Sequence, residues 1–377
     1  MQKEKLVPAI RFKGFDEEWK DIYLSQVASV ITGGEPPKHY SKTFNHKKNF
    51  IYPVYSNGYD ENALWGYADT YKVDKPSITF SSIGTLGFPT IRLEPYTPII
   101  RLKVILPILN QVDLQYLKYA LDQSDFMTNA SGIPNMNADQ VKNIIINSTD
   151  INEQRKIGLL FNNIDQLLLS QRSKLEKLQT IKQSLLNKMF ASYDQKTPEI
   201  RFKDFLDAWN HKLVKSLGYI TTGNSNTQDS DVNGAYPFFI RSDKPLKSNK
   251  YLYDEEAVIT IGDGNIGKVF HYVNGKFDLH QRCYKISNFT DVLGKYFYWY
   301  FSSNFYDRVI RMSAKATVDS VRLEMIADME IYYPSNKNEQ SKISTLLDGL
   351  DSLIHSQEQK LEKLNSIKQA LLEKMFC

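Results

Sequence analysis

The sequence lacks the features that place a protein in a membrane, outside the cell or around a metal ion. Only two cysteines are present, Cys283 and Cys377, which are too few for a disulfide framework or a zinc site. No stretch holds the roughly 18 uninterrupted apolar residues of a membrane span, and the first residues lack the apolar run of a secretory signal. We therefore expect a soluble protein of the cytoplasm with reduced thiols and no membrane contact.

Signatures of catalysis are also missing. The six histidines show no H-x-x-x-H or H-E-x-x-H spacing, which would place two metal ligands on one face of a helix. There is no G-x-S-x-G elbow, and carboxylates such as Glu255 and Glu256 are expected to be solvated rather than paired for acid-base chemistry. We expect neither a metal site nor catalytic residues in this chain.

One glycine-rich stretch, Gly262 to Gly267, spells G-x-G-x-x-G and is followed by Lys268. Both phosphate-binding versions of this motif aim the N-terminus of a following helix at a phosphate, and the version with lysine needs Ser or Thr next. Val269 occupies that place, and the residues after it have the pattern of a strand. The stretch therefore predicts a tight turn between two strands rather than a nucleotide site.

What the sequence does contain is a long internal repeat. Residues 152–190 align with residues 338–376 without a gap, and 23 of 39 positions are identical. A second matching pair precedes them, since the pattern P-x-I-R-F-K-x-F-x-x-x-W that begins at Pro8 recurs at Pro198. The chain of 377 residues is therefore two units, each about half its length and large enough to bury its own core.

Between its matching ends, each unit has the pattern of mixed structure. Strand-like runs such as Ser77–Ser82 are bounded by turn residues, and helical patterns occur at Leu114–Leu121 and Val292–Phe301. The interiors share little beyond a glycine after a strand, Gly33 in the first and Gly223 in the second. An α+β domain is the expected fold of each interior.

The repeated segment has the pattern of a long helix with one apolar seam. Alternating spacings of 4 and 3 residues hold from end to end in both copies, and such a helix would be about 58 Å long. The predicted seam contains Ile157, Phe161, Ile164, Leu168, Gln171, Leu175, Leu178 and Leu185 in the first copy, and Ile343, Leu347, Leu350, Ile354, Gln357, Leu361, Leu364 and Leu371 in the second.

Two arrangements of these helices fit the pattern, since each helix could pack on its own domain or pair with the other. Their equal length and matching seams favour a mutual antiparallel coiled coil. Gln171 and Gln357, near the middle of each seam, would then lie near one another, and direct contact between them is left open.

These features predict an α+β fold with a pseudo-twofold internal repeat, in which two mixed α/β domains are separated by two long antiparallel coiled-coil helices. The predicted boundaries are 1–151 for the first domain, 152–190 for the first helix, 191–337 for a linker and the second domain, and 338–377 for the second helix. The segment PAIRFKGF should lie near Phe376, because its counterpart follows the first helix along the chain.

Both interiors are rich in side chains that suit nucleic acid, since Lys and Arg neutralise phosphates while Asn, Gln and Arg bond to base edges. The candidates are Lys38, Lys42, Tyr55, Asn57, Asn224, Asn226, Arg241, Lys244, Asn265, Lys268 and Arg282. Ordinary polar loops would account for any single one of them at least as well. Two different domains held apart by a pair of helices, however, would suit recognition of two short sequences separated by a fixed gap.

The order of these motifs resembles the specificity subunit of type I restriction-modification systems. The resemblance rests on P-x-I-R-F-K-x-F-x-x-x-W, a variable domain with a T-x-G-type turn, and N-E-Q-x-K-I opening a helix that ends K-L-E-K-L-x-x-I-K-Q-x-L-L-x-K-M-F, all repeated once. It implies that residues 1–151 and 191–337 hold target recognition domains. Each would read one half of a bipartite DNA site, and the helices would be the spacer between the halves.

The resemblance also implies partners and cofactors. Two modification subunits would flank the chain and methylate adenine at N6 with S-adenosylmethionine. Restriction subunits would add ATP- and Mg-dependent translocation and cleavage of double-stranded DNA. The chain itself would hold no cofactor and no catalytic centre, in agreement with the missing signatures of catalysis.

By resemblance, DNA-facing loops are expected at 81–88, 263–268, 132–147 and 314–334, which adds Ser82, Thr85, Asn135, Asn137, Lys315 and Thr317 to the candidates. The net charge is only +4, so we expect weak DNA binding by the chain alone and tight, salt-sensitive binding with modification subunits. The alternative is a protein scaffold whose two domains bind other partners and never touch DNA.

Overall fold

The structure of the protein, a computed structural model, describes residues 6–58, 63–84, 86–124, 134–191, 196–313 and 320–376. The chain divides into two compact units, the first formed by Met1–Arg172 with Gln359–Cys377 and the second by Ser173–Glu358. Each unit therefore contains the interior of one repeat, the first part of the long helix of that repeat and the last part of the other long helix.

In the first unit, short strands and two short helices precede the first long helix. In chain order they are β1 (Lys20–Tyr23), β2 (Ala28–Thr32), β3 (Tyr40–Ser41), β4 (Tyr52–Tyr55), β5 (Leu64–Ala68), β6 (Ser77–Ser81), β7 (Gly87–Arg92), β8 (Thr97–Pro98), β9 (Lys103–Pro107), α1 (Leu114–Asp122), α2 (Ala138–Lys142), β10 (Ile145–Ser148) and α3 (Ile151–Lys188). β1 pairs with β10, an antiparallel sheet has the order β2-β9-β6-β7, and a second sheet has the order β3-β5-β4-β8.

The second unit repeats this succession with longer strands. Its elements are β11 (Trp209–Leu213), β12 (Tyr219–Thr222), β13 (Tyr236–Phe239), β14 (Leu246–Ser248), β15 (Tyr253–Ile261), β16 (Phe270–Leu279), β17 (Cys283–Ser287), α4 (Gly294–Ser313), α5 (Leu323–Ala327), β18 (Glu330–Pro334) and α6 (Lys337–Met375). β11 pairs with β18, and six strands form one sheet in the order β12-β17-β15-β16-β13-β14.

The interiors of the two repeats share a strand order that their sequences do not show. The order β2-β9-β6-β7 in the first unit corresponds to β12-β17-β15-β16 in the second. β4 runs parallel to β8, as β13 runs parallel to the end of β16. The difference is that β16 is one continuous strand, whereas β7 and β8 are separate, so one sheet in the second unit corresponds to two sheets in the first.

Helix α4 is longer than the helix predicted at Val292–Phe301. Aromatic residues continue at a spacing of four along its buried face, where Phe297, Phe301 and Phe305 stack with ring centroids 5.3 and 4.5 Å apart. This spacing places the rings on one side of a helix and extends its apolar face toward Ser313. The predicted helix at Leu114–Leu121 and the strand at Ser77–Ser82 match α1 and β6, and the predicted α+β class is confirmed.

The long helices pack into the core of the first unit from opposite directions. Ile157 and Phe161, in the first turns of α3, share a buried cluster with Met375 and Phe376 at the end of α6. The Phe161 and Phe376 rings are 6.0 Å apart. Further along, Lys368 Nζ of α6 lies 2.6 Å from an Asp165 carboxylate oxygen of α3, so the two helices run antiparallel within this unit.

The second unit contains the reciprocal arrangement. Met189 and Phe190, which follow α3, share its core with Ile343 and Leu347 of α6. Lys182 of α3 forms an ion pair with Asp351 of α6, which again means antiparallel helices. All sixteen residues of the predicted seam are buried or half-buried, with Gln357 buried and Gln171 half-buried. Proximity of these two glutamines stays a prediction.

The repeated P-x-I-R-F-K segments tie the ends of the long helices together within each unit. In the first unit the backbone N–H of Ile10 donates to the carbonyl oxygen of Lys374 over 2.8 Å, at the end of α6. The next residue, Arg11, binds both carboxylate oxygens of Glu153, in the first turn of α3, over 2.7 and 2.8 Å. PAIRFKGF therefore lies near Phe376, as predicted.

The second unit makes the same two connections with the second copies of the motifs. Ile200 N–H donates to the Lys188 carbonyl over 2.9 Å at the end of α3. Arg201 binds both oxygens of Glu339, in the first turn of α6, over 2.7 and 2.9 Å. The Glu339 side chain is fully buried, which makes this bidentate pair a structural requirement rather than a surface contact.

The glutamine after each glutamate fixes the long helix to the rest of its unit. Gln154 Oε1 accepts the backbone N–H of Asp113, before α1, and its Nε2 donates to the Thr149 carbonyl over 2.8 Å. Gln340 makes the equivalent bonds, accepting from Leu293 N–H and donating to the Pro334 carbonyl. Both glutamines are buried, so the N-E-Q motif supplies the bonds that these backbone groups need in the core.

Replacing Glu339 with alanine should lower the free energy of unfolding by about 3–5 kcal/mol, because Arg201 would lose its buried partner. Urea-induced unfolding of the purified chain measures this. The control is Asp204→Ala, which removes a carboxylate 3.6 Å from Lys342 at the surface and should change stability little. Equal losses in the two variants would contradict a structural role for the buried pair.

Candidate nucleic-acid interface

In the second unit, the turn after β12 lies directly against the chain between β16 and β17. A Cβ added to Gly223 would be 1.9 Å from the Leu279 carbonyl oxygen, so no other residue fits. Ser225 N–H donates to that same carbonyl, and Gln281 N–H donates to the Ser225 carbonyl over 3.0 Å. These bonds join two loops at one end of the sheet and bring their variable side chains together.

The first unit has the same junction. A Cβ added to Gly33 would lie 2.8 Å from the Ile99 backbone nitrogen. Gly34 pairs with Ile99 in a parallel bridge, as Ser225 pairs with His280. Arg101 N–H donates to the Gly33 carbonyl over 3.1 Å, and the Arg101 side chain is exposed. The two units therefore present corresponding loops from one backbone frame.

The G-x-G-x-x-G stretch contributes the third loop at this end of the second unit. It joins β15 to β16, which pair antiparallel, so the predicted strand-to-strand turn is confirmed. Gly264 and Gly267 have φ angles of +82° and +68°, which glycine adopts without strain. A strand and not a helix follows the turn, and the helix N-terminus that a nucleotide phosphate would need is therefore missing from this stretch.

Asp263, in this turn, binds two of the predicted arginines. Its carboxylate accepts from Arg282 Nη1 over 2.7 Å and from Arg241 Nη1 over 3.1 and 3.2 Å. Burial alone would raise the pKa of Asp263, but the hydrogen bonds from Arg282 and Arg241 outweigh it and hold the pKa below its ordinary value. The carboxylate is therefore ionised, and a cavity of about 350 Å³ opens beside it, lined by Thr222, Gln281, Arg282 and Ser320 among others.

His280 stabilises the loop that contains Arg282. It is 5% exposed, and burial, together with the charge of Arg241, lowers the pKa of its imidazole. Its Nδ1 accepts the backbone N–H of Arg282 over 3.1 Å. That bond requires an unprotonated Nδ1, which agrees with the direction of the pKa.

Of the other candidates in the second unit, four are exposed and one forms a hydrogen bond to a neighbouring side chain. Asn224, Lys244, Asn265 and Lys268 are exposed, and Lys268 Nζ is 4.8 Å from the ring centroid of Tyr306. The side chain of Asn226 accepts from Gln281 Nε2 over 2.6 Å, so Asn226 orients a neighbour at the loop junction.

Several candidates of the first unit support the fold. Tyr55 is 9% exposed and donates its hydroxyl to Glu94, while burial raises its pKa to about 12. Asn57 accepts the Ser82 N–H over 2.9 Å, and the buried Ser82 hydroxyl donates to the Arg101 carbonyl over 2.9 Å. These three side chains shape the loops rather than face outward.

Four candidates of the first unit do lie at the surface. Lys38 and Lys42 are exposed, and Lys42 Nζ lies 3.7 Å from the ring centroid of Trp65. Asn135 is exposed and bridges Ile83, and Asn137 caps α2 by accepting the Gln140 N–H. Thr85, Lys315 and Thr317 lie outside the described residues.

Sequence reasoning missed two residues of these junctions, Arg101 and Asp263. The sequence does contain a signal for Arg101. Arg101 and Arg282 are each the first residue of a pattern R-x-x-x-I, and the two patterns lead into the corresponding strands β9 and β17. Asp263 lies in the predicted loop 263–268 but is not among the candidate residues, and its role emerges only from the two arginines beside it.

Gly223→Ala should destabilise the second unit by about 1–3 kcal/mol or more, because the new methyl group would overlap the Leu279 carbonyl. Thermal unfolding followed by circular dichroism measures the loss. Gly349→Ala is the matched control, since an added Cβ meets nothing within 4 Å in α6 and should stabilise the helix by about 0.5–1 kcal/mol. A Gly223 variant as stable as the parent would show that the two loops are not in contact.

Among the described residues, no helix is both long and apolar enough to cross a membrane. In the same part of the chain, no group of three or more His, Cys, Asp or Glu side chains could hold a metal ion.

The fold is similar to that of solved structures. A crystal structure of a type I restriction-modification system S subunit from M. genitalium superposes with a TM-score of 0.74 at 15% identity, and the match covers 99% of both chains. A second structure, reported for complex assembly and conformational transition of the type I R-M system, gives a TM-score of 0.51 at 14% identity, covering 97% of this chain and 99% of the other. At these identities the likeness concerns the fold.

Curated relatives are similar over part of the chain. A putative type I specificity subunit of Mycoplasma pneumoniae is 29% identical over 152 residues, which are 40% of this chain and 44% of the relative. The type I restriction enzyme EcoDI specificity subunit of Escherichia coli is 27% identical over 168 residues, 44% of this chain and 37% of the relative. The chain thus spans less than half the length of the curated relatives it matches.

Two segments of the chain match a known family, described as the type I restriction modification DNA specificity domain, at residues 16–180 and 207–366. Each segment includes one of the loop junctions described above and most of one long helix. The matches cover more than half of the sequence and confirm the resemblance, and the chain therefore belongs to the type I restriction-modification DNA specificity family.

Proposed function

We propose that this chain selects the DNA target of a type I restriction-modification complex, with each unit recognising one half of a bipartite site. The observation that carries this proposal is the pair of loop junctions, which share one strand order and one glycine contact but differ in their side chains. Two domains that recognise different DNA sequences require a common backbone frame with different exposed residues.

The chemistry of the exposed loops suits this role. Lys38 and Lys42 lie at the surface of the first unit, where they can neutralise phosphates. Arg241, Arg282 and Asn224 lie at the junction of the second unit, where bonds to base edges are geometrically possible. Because the net charge is only +4, the complex and not the isolated chain supplies most of the phosphate contacts.

The chain acts through partners in the cytoplasm and holds no cofactor itself. Two modification subunits methylate adenine at N6 with S-adenosylmethionine, and restriction subunits supply ATP- and Mg-dependent cleavage. The residues of this chain choose where that chemistry occurs, by binding and orienting DNA and by holding the partners at a fixed place along it.

Equivalent exposed apolar residues on the long helices support two identical partners. Leu167 of α3 and Ile367 of α6 are 44% and 42% exposed in the first unit. Ile181 and Leu353 are 48% and 57% exposed in the second. Leu167 and Leu353 directly precede the seam residues Leu168 and Ile354, and Leu167 and Ile181 correspond in the repeat to Leu353 and Ile367. Each unit thus offers the same apolar pair beside its helix seam, which suits one copy of a common partner per unit.

Mapping of methylated adenines tests the proposed function. In cells that carry the chain with its modification subunits, long-read sequencing should find N6-methyladenine in one bipartite motif. Exchanging residues 16–150 for the corresponding domain of another family member should change one half of the motif and leave the other half unchanged. Methylation without a motif, or no binding to a DNA library with and without the modification subunits, would instead support the protein scaffold.

The apolar pair generates a separate prediction. Changing Leu167 and Ile367 together to Glu should remove one of two modification subunits from the complex, because charge would enter a buried interface. Native mass spectrometry measures the stoichiometry. The matched control changes two exposed polar residues of the same helices, Ser170 and Ser366, to Glu and should leave two subunits bound. Retention of both subunits by the apolar double variant would exclude this surface.

A further inference from the structure

The carboxylate of Asp263 and the two guanidinium groups beside it form a fixed arrangement at the open end of the second unit. The Asp263 side chain is 17% exposed, whereas those of Arg241 and Arg282 are 45% and 60% exposed. Each arginine uses a single nitrogen, Nη1, on the carboxylate. Since a guanidinium has five N–H donors, each arginine keeps donors for a further acceptor.

The backbone holds this arrangement in place. Gly262 N–H donates to the Arg282 carbonyl over 2.7 Å, and Val321 N–H donates to the Gly262 carbonyl over 2.6 Å. A Cβ on Gly262 would lie 2.7 Å from the Arg282 carbonyl oxygen, so the close approach depends on glycine. The glycine-rich turn therefore fixes Asp263 against the arginine loop, which gives this motif a role other than nucleotide binding.

The charge of Asp263 favours one of the two acceptors that DNA offers. The carboxylate lowers the charge of the two arginines and so weakens their attraction for a phosphate, whereas a neutral base edge does not depend on that charge. The edge of a guanine is neutral and presents two acceptors, O6 and N7, which match the fork of an arginine. A carboxylate that orients the arginine beforehand reduces the entropy lost when the base contact forms.

The first unit lacks a carboxylate at the matching position. Ile83 bridges Asn135 there, as Asp263 bridges Ser320 in the second unit. Arg101 occupies the place of Arg282. Within the described part of the chain, the arrangement of one acid between two arginines occurs at this position in the second unit and not in the first, and it concerns the half-site that the second unit binds.

We propose that Asp263 is a positioning residue that orients Arg241 and Arg282 to contact the O6 and N7 edge of guanine in the half-site recognised by the second unit. This inference rests on the proposed function, since it requires that the second unit binds DNA. It assigns guanine recognition to the second unit and gives Asp263 the role of orienting the arginines.

Variants of the complete complex test the assignment through the methylated motif. Arg282→Lys keeps the charge but loses the fork, and should reduce the preference for guanine at one position of the second half-site by about ten- to a hundred-fold. Asp263→Asn should relax the same position with both arginines intact. Lys212→Gln, which breaks a surface ion pair with Asp291 in the same unit, is the control and should leave the motif unchanged. The first half of the motif should stay unchanged throughout.

The outcomes separate the inference from the proposed function. A bipartite motif that is identical in parent, Arg282→Lys and Asp263→Asn would overturn the inference and leave the proposed function intact. A uniform loss of methylation at all sites, with base preference unchanged, would reduce Asp263 to a structural role and would also overturn it. If no methylated motif is found, the proposed function itself is refuted.

A second measurement needs no variant and so does not depend on folding of the altered chains. The unaltered complex is given target DNA in which each guanine of the second half-site is replaced in turn by 7-deazaguanine, which lacks the N7 acceptor. One such replacement should weaken binding about ten-fold or more, while the same change in the first half-site serves as the reference. Full binding with every guanine replaced, or a second half-site made only of A·T pairs, would refute the inference.

Discussion

The buried ion pair between arginine and glutamate is the interaction on which both units depend. Arg11 with Glu153, and Arg201 with Glu339, each connect a segment at the start of a repeat to the first turn of a long helix. The residue before each arginine bonds to the last turn of the other long helix. One short segment therefore joins the end of one helix to the beginning of the next. The glutamate is fully desolvated, and its bidentate arginine, with Trp19 and Thr149 as further donors to Glu153, stabilises the buried charge.

This joint leaves the loops at the two junctions free to differ. The backbone frame of each interior is held by ladder hydrogen bonds and by the approach of Gly33 or Gly223 to the facing chain. Neither constraint involves the side chains that follow the glycine. The sheets can therefore keep one strand order while the loop chemistry changes from lysines and Arg101 in one unit to an acid between two arginines in the other. Under the proposed function, specificity and stability reside in different residues, which is the usual division between loops and scaffold.

The sequence was sufficient for the repeated parts of the fold and insufficient for its interiors. Arg11, Glu153 and the helix seams recur as identical or similar residues because each must fit the same buried partner, so periodicity and repetition reveal them. The common strand order is invisible in sequence because backbone hydrogen bonds accept many side chains. Residue type also misled at Tyr55, which suits a DNA surface but lies in the core, where burial and Glu94 hold its hydroxyl. Asp263 is the opposite case. It does not stand out by residue type, and its role depends on arginines that are distant along the chain.

The similarity of the two helical segments has a consequence for exchange of the interiors between them. The bonds of Arg11 with Glu153 and of Arg201 with Glu339 lie within the repeated segments. Those of Gln154 and Gln340 reach Asp113 and Leu293, just before the first helix of each interior. Exchange of one interior for another between these segments would therefore keep both buried ion pairs. Under the proposed function, such an exchange would combine new half-sites without any change at Arg11, Glu153, Arg201 or Glu339.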